Sequence, residues 1–419
     1  MTSTSASVAG RTASPSTARA INDRLALQLL KDKGPLTAGQ LKSLTGLSRP
    51  TIADLVERLR QTGLVAVVGE TGAERRGPNA RVYGIVADSA HVAGVDVRTD
   101  SVAVCVADLL GRTLAEESLP VAPDTDPART VAAAVALVER VAERAGAVRL
   151  HHIGIGVPGL IDPATGELNA TSGLPSWHRE LATALHGGLA APVLLENEVN
   201  LAAVAEQRLG AARDRDTFVL LWLGHGVGAA VVLDRMLRRG ASGGTGEIGF
   251  LPVPGTSGLP SATGCDGGFH SLVCSAAVCE LAQQHGLAAA AGGAGGAGGA
   301  GGEARRGAGT EDAGAAEAVI RAALGAGERG EPFLDELAAR IAVGVAAICA
   351  VLDPGCAVLG GEVGRAGGDA LARRVAERVA RLSPLRTRVC AGAVGGGGVL
   401  RGAVLTAMDA AQNELFGAA

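Results

Sequence analysis

The chain has 419 residues, 47% of them hydrophobic, and a net charge of −4, enough for two or three domains with a sizeable core in each. Seven cysteines, odd in number and without a Cys-x-x-Cys pair, argue against a disulfide framework and are expected to be small buried hydrophobes. No apolar run has the length of a signal peptide or approaches the roughly 20 residues of a membrane span, and the longest candidate, Ile341 to Leu352, reads as a buried helix, so a soluble cytoplasmic protein is expected.

In chain order, residues 1–20, rich in Ser, Thr and Ala, are expected to be a disordered arm. Leu36 to Leu59 then spells two short amphipathic helical patterns hinged at Gly46. Ala38, Leu41, Leu44, Leu47, Ile52, Leu55 and Leu59 can share one small core, which leaves Lys42, Ser48, Arg49, Pro50, Thr51 and Arg58 outside. That is the pattern of a DNA-reading helix-turn-helix. Ser48 is placed to cap the second helix and Pro50 fits its first turn. The free amides there favour phosphate, and Arg49 and Thr51 extend toward base edges.

Leu64 to Val68 reads as a strand, Gly69 to Asn79 as a polar loop and Arg81 to Ile85 as a returning strand. Residues 21–87 are therefore read as a winged helix, with Arg75 and Arg76 at the wing tip and Arg81 at its base as phosphate or minor-groove contacts. Charge agrees with this. Through Val86 there are 12 Lys and Arg against 6 Asp and Glu, a balance of +6, so the remainder of the −4 chain carries about −10. A basic segment fused to an acidic one suits a protein that offers only the first to nucleic acid.

From His91 the pattern changes to α/β. Val92 to Val97, Val102 to Ala107 and Arg112 to Glu117 read as strands, Ala128 to Ala145 as a helix and His152 to Val157 as another strand, with strand and helix signals alternating to the end. Ala288 to Gly309 is almost wholly Ala and Gly and is expected to be a mobile insertion.

Five segments of this second domain, residues 88–419, form a recognisable set: Ile153-Gly-Ile-Gly-Val-Pro-Gly-Leu-Ile-Asp162, Glu196-Asn-Glu-Val-Asn-Leu-Ala-Ala-Val-Ala-Glu206, Gly224-His-Gly-Val-Gly-Ala229, Gly243-Gly-Thr-Gly-Glu-Ile-Gly249 and Val358-Leu-Gly-Gly-Glu-Val363. In order and spacing they resemble the ROK family of sugar kinases and sugar-responsive repressors. The resemblance implies an α/β fold, a winged helix-turn-helix followed by a two-lobed actin-like ATPase (ribonuclease H-like) domain. The repressor branch carries an amino-terminal winged helix, and its members act on operator DNA under control of a carbohydrate.

Against the family's pattern, several positions depart. The first phosphate loop, Asp-x-Gly-Gly-Thr in the family, reads Asp96-Val-Arg-Thr-Asp100, where Arg98 replaces a glycine and Asp100 adds negative charge, so ATP is not expected to bind. The catalytic aspartate falls on Glu198, one methylene longer, a displacement that costs on the order of a hundredfold in rate. His225 replaces a threonine of the second phosphate loop. The family's zinc histidine falls on Phe250 and its cysteine cluster on Gly264 to Val273, leaving Cys265 and His270, too few ligands for tetrahedral zinc. The glutamate closing that cluster falls on Leu272 or Val273. What the resemblance leaves for a ligand is Pro158, Gly159, Asn197, Glu198 and Glu247. No catalytic residue, metal or cofactor is expected, and the partners are a double-stranded operator, a carbohydrate-like effector and, since a palindrome needs two-fold symmetry, further copies in a homodimer or homotetramer. The alternative is an ATP-dependent sugar kinase with an attached DNA-binding domain.

Overall fold

The protein is described from a computed structural model, which covers residues 15–70, 80–98, 100–122, 125–168, 180–181, 183–184, 191–261, 264–287 and 309–418. Contacts divide the chain into two units. The first runs to Val92 and adds Ala107–Thr113 and the chain end from Met408; the second comprises Ala93–Val106 and Leu114–Ala407.

The first unit opens with α1 (Pro15–Lys33), which begins within the segment expected to be an arm. Its buried positions Asp23, Ala26, Leu27 and Leu30 recur at helical spacing, so this row, like the paired helices, belongs to the small core. Then come β1 (Leu36–Thr37), α2 (Ala38–Thr45), α3 (Arg49–Gln61), β2 (Val65–Glu70) and β3 (Arg81–Ile85). The strands form a sheet in the order β1-β3-β2, the three-stranded base of a winged helix. β1 has no sequence signal because two residues cannot show alternation. It exists because Leu36 and Thr37 pair with Tyr83 and Val82.

One correction concerns the expected core. Leu41, Ile52, Leu55 and Leu59 are buried as expected, but Leu44 is 45% exposed. α2 is only two turns long and ends at Gly46, so Leu44 overhangs the small core that Leu41 fills. The wing loop with Arg75 and Arg76 and the Ala/Gly tract at 288–308 lie outside the described residues.

The second unit carries two five-stranded sheets. One contains β4 (His91–Val97), β5 (Ser101–Asp108), β6 (Thr113–Pro120), β7 (Leu150–Val157) and β8 (Val193–Asn197) in the order β6-β5-β4-β7-β8. The other contains β9 (Phe218–Leu223), β10 (Val227–Leu233), β11 (Met236–Arg238), β12 (Cys356–Gly360) and β13 (Arg388–Ala391) in the order β11-β10-β9-β12-β13. The two orders are the same pattern used twice, a duplicated lobe.

On the first sheet, α4 (Pro127–Arg144), capped by Asp126, lays Leu137, Val138 and Val141 over Val95, Val104 and Ile155. On the second, one face is covered by α6 (His270–Val273), α7 (Ser275–Gln284), α8 (Gly309–Gly325), α9 (Glu331–Leu352) and α10 (Gly361–Leu382). The other face meets α5 (Glu198–Leu209) and α11 (Gly398–Ala418) through Leu201, Ala203, Val399 and Ala403. Backbone-close packing joins these helices to the first sheet: any Cβ on Gly154 would strike the Ala403 backbone, and one on Gly402 the Leu201 backbone. The stretch Ile341 to Leu352 is the second half of buried α9, and among the described residues no helix is long and apolar enough to cross a membrane.

Candidate DNA interface and effector cleft

In the first unit, local chemistry fixes the two helices. Thr37 and Gln40 form a reciprocal capping box at the start of α2, with the Thr37 N–H donating to Gln40 Oε1 at 2.8 Å. Gly46, at φ 71°, closes α2 by donating its N–H to the Lys42 carbonyl. Ser48 Oγ accepts from the Thr51 N–H and sits 2.7 Å from Thr51 Oγ1, while Pro50 occupies the first turn. Ser48, Arg49, Pro50, Lys42 and, on β3, Arg81 are exposed. Thr51 is half-buried with its hydroxyl held in the cap.

Arg58 requires correction. Its guanidinium is bound to Asp23 of α1, Nη2 to Oδ1 at 2.6 Å and Nε to Oδ2 at 3.2 Å, and the Asp23 side chain is 4% exposed. The hydrogen bond that Arg58 donates to Asp23 holds its pKa above the ordinary value. Arg58 fastens α3 to α1 and is not a free DNA contact. Arg58→Ala is expected to cost about 2 kcal/mol, below the 3 to 5 of a fully buried broken pair because Arg58 is itself part-exposed. Chemical denaturation measures the loss, and the sequence preference of bound DNA is expected to stay unchanged.

In the second unit, β8 runs into α5 at Asn197-Glu198. Asn197 Oδ1 accepts from the Val199 and Asn200 N–H groups, and its Nδ2 donates to the Gly159 carbonyl at 2.9 Å. Asn197 thus caps α5 and pins the half-buried Pro158-Gly159 turn, keeping only one amide hydrogen for a ligand. Beneath it Glu196, buried, accepts from the Asn197 N–H and Asn200 Nδ2 and pairs with Arg239, Nε to Oε2 at 2.7 Å. Neither Glu196 nor Arg239 was singled out from sequence, although Glu196 opens a quoted motif. The two are 43 residues apart.

Glu198, first residue of α5, is half-buried. Burial, then the charges of Asp96 and Glu362, push its carboxyl up to about 7, with Arg98 opposing. Asp96 is 1% exposed. Burial raises its pKa against the pull of Arg98, and its Oδ1 has no hydrogen-bond partner among the described residues. The Glu362 carboxyl lies against Gly224, with Oε2 likewise buried and unpartnered. Arg98 is the cation among them. Burial acts to lower its pKa, but Asp96, Glu198 and Glu362 outweigh that and raise it.

Glu247 follows Gly246, whose backbone rests on Ala229, and Gly243, whose backbone rests on Ile161 beside the Pro158-Gly159 turn. It is exposed, yet the protein around its carboxyl raises its pKa. The sequence offered His270 only as a leftover of the zinc cluster and not as a ligand-site residue. Leu272 and Val273 are core residues of α6, whereas His270 at the head of that helix is half-buried and packs on Gly249, two residues beyond Glu247. Burial, with His225 adding to it, lowers the His270 pKa, so it stands neutral at pH 7 as both donor and acceptor. The signal lay in a polar residue opening a short helix inside the degenerate cysteine segment.

The residues present do not fit the family's zinc: no three of Cys265, Asp266, His270 and Cys274 bring ligand atoms within 4.8 Å of one another, and Phe250 is 40% exposed. Beside Gly361 and Gly395 the cleft leaves a hollow of about 30 Å³, lined also by Glu206, Trp222 and Arg365. That is room for about two waters.

The sequence profile described as the ROK family matches residues 92–409. This chain belongs to the ROK family. Among curated ROK relatives it resembles a xylose repressor of Caldicellulosiruptor bescii, 25% identical over 235 residues, 56% of this chain and 59% of that one. The chain thus spans about three-fifths of the length of such relatives. Among solved structures, a ROK family transcriptional regulator described as a homologue of the Escherichia coli MLC protein aligns with TM-score 0.73 over 95% of this chain and 98% of its own at 18% identity. A ROK hexokinase from Thermus thermophilus aligns with TM-score 0.59 over 77% of this chain and 99% of its own at 26% identity. The fold is that of a ROK regulator, a winged helix with the two-lobed actin-like domain.

Proposed function

We propose that this chain is a DNA-binding transcriptional regulator, a repressor of carbohydrate-related genes, whose ROK domain binds a sugar and performs no phosphoryl transfer. The observation that carries the reading is the exposed amino end of α3, where Ser48 caps and Arg49 is exposed, with Lys42 exposed on the preceding α2. A helix end with free amides and cationic side chains suits a major groove, and a kinase has no use for it. The likeness to xylose repressors supports the regulatory role and a sugar as effector. Asn197, Glu198, Glu247 and His270 supply the acceptors and donors that sugar hydroxyls need, and a homodimer or homotetramer supplies two readers for a palindrome.

Against kinase chemistry stands Arg98 in the phosphate loop, whose guanidinium pairs with Asp96 and donates to the Gly396 carbonyl, filling space that phosphate would need. The same arrangement needs neither ATP nor zinc. The hexokinase likeness keeps a kinase as the rival reading. An assay with ATP, Mg²⁺ and a hexose panel separates the two: no turnover is expected, and rates near one per second would establish the kinase.

The experiment for DNA binding is selection of duplex fragments by the purified protein. Arg49→Ala is expected to weaken the selected operator about tenfold or more and to relax base preference at one position of each half-site, while random DNA loses less. Equal losses on operator and random DNA would remove α3 as the reading helix.

A further inference from the structure

We propose that Arg98 is a strap across the ROK cleft, an internal cation that fastens the β4–β5 turn to the glycine loop after β13 and so pre-forms the ligand site. As a statement about effector binding this rests on the reading above; as a statement about the lobes it stands alone.

The contact is specific. Arg98 Nε donates to Asp96 Oδ2 at 2.9 Å, and Nη2 donates to the Gly396 carbonyl at 2.8 Å, joining residues 298 apart. Asp96 ends the central strand of one sheet and Gly396 lies in the loop leaving the edge strand of the other. The loop is gripped from its far side as well. Glu206, 5% exposed in the last turn of α5, accepts from the Val394 N–H at 2.9 Å and from the Ala211 N–H at 2.7 Å. The path therefore runs from Asp96 through Arg98 and the loop to Glu206, and along α5 to Glu198 at its head.

Charge makes the guanidinium necessary. Asp96, Glu198 and Glu362 all bear on it, and two of their oxygens lack any donor among the described residues. Three carboxyls facing one cleft repel; one planar fork of five N–H groups offsets them while bridging two elements, which a lysine's single ammonium cannot do from one position. Where a nucleotide or a metal ion could hold two lobes together, this chain carries the cation on a side chain of its own β4–β5 turn. A ligand touching both lobes then binds a site already assembled, and loss of the strap lowers the fraction of binding-competent molecules.

The test uses the full chain with Arg98→Ala and Arg98→Lys, read by amide hydrogen exchange without any ligand. In Arg98→Ala the amides of Gly392 to Gly398 are expected to exchange at least tenfold faster than in the wild type, with those of α3 unchanged. Arg98→Lys, which keeps the charge but loses the fork, is expected in between and serves if the alanine variant does not fold. Exchange in that loop within twofold of wild type in both variants would overturn the strap. Thermal shift with D-xylose and a hexose panel forms a second arm. If loop exchange rises but no sugar stabilises the wild type, the strap holds and the effector reading fails.

Discussion

Glu198→Gln is expected to leave the protein folded and able to bind its operator, while raising the sugar concentration for half-release about 10- to 100-fold. A hydrogen bond to a charged group contributes roughly 1.5 to 3 kcal/mol, which is that range of affinity. The same variant has a signature that needs no ligand. Burial first, and then Asp96 and Glu362, lift the Glu198 pKa to about 7 from an ordinary 4.5. Between those values the folded protein holds a proton that the unfolded chain has lost, so stability falls as pH rises across that window and levels off above it. Glutamine cannot ionise and removes that contribution. The variant should gain stability over wild type at pH 8 and show little difference at pH 4. Asp96, also raised by burial, leaves a residual slope of the same sign. Urea denaturation across pH decides it, and an unaltered slope would mean that Glu198 is not the buried acid of this cleft.

Gly154→Ala is expected to destabilise the ROK domain by about 3 kcal/mol or more, a large part of the 5 to 15 that hold an ordinary domain. The added methyl meets the backbone of Ala403, not a side chain that can rotate away. α11 would have to lift from β7, and Gly94 and Gly156 are packed against the same helix, through Val404 and Val399. Gly314→Ala in α8 is the control, because its new methyl meets nothing within 4 Å. Calorimetry should show a lowered midpoint for the first and an unchanged or slightly raised one for the second. Equal midpoints would show that α11 and β7 do not need this close approach.

Much of the site was legible because local rules govern it. Ser48, Pro50 and Gly46 are cap, first-turn and left-handed residues whose roles depend on neighbours within a few positions, and each does what its type requires. The glycines of Ile153-Gly-Ile-Gly, met in a motif, serve a different end. Gly154 admits a helix backbone 249 residues further along, at Ala403, and Gly156 makes room for the Val399 and Leu201 side chains. Asn197 looked like a ligand and proves to be chiefly the cap of α5. His270 was legible only as a remnant of the cysteine cluster, because a polar residue opening a four-residue helix has no periodic pattern that would place it beside Gly249.

What the sequence by itself determined is therefore the paired helices and wing strands, the change to α/β from His91, the ROK motifs and the division of charge, all of which rest on residue type and short spacing. Tertiary structure alone decided which arginines are free. Arg49 and Arg58 lie on one helix with the same chemistry, and only the position of Asp23 on α1 makes the second an internal tie. Arg98 was legible as an intruder in a phosphate loop, but its purchase on Gly396 was not. A side chain's identity fixes what it can bind; which partner it meets depends on how distant backbone segments are packed, and the free energy of that packing is a property of the whole fold.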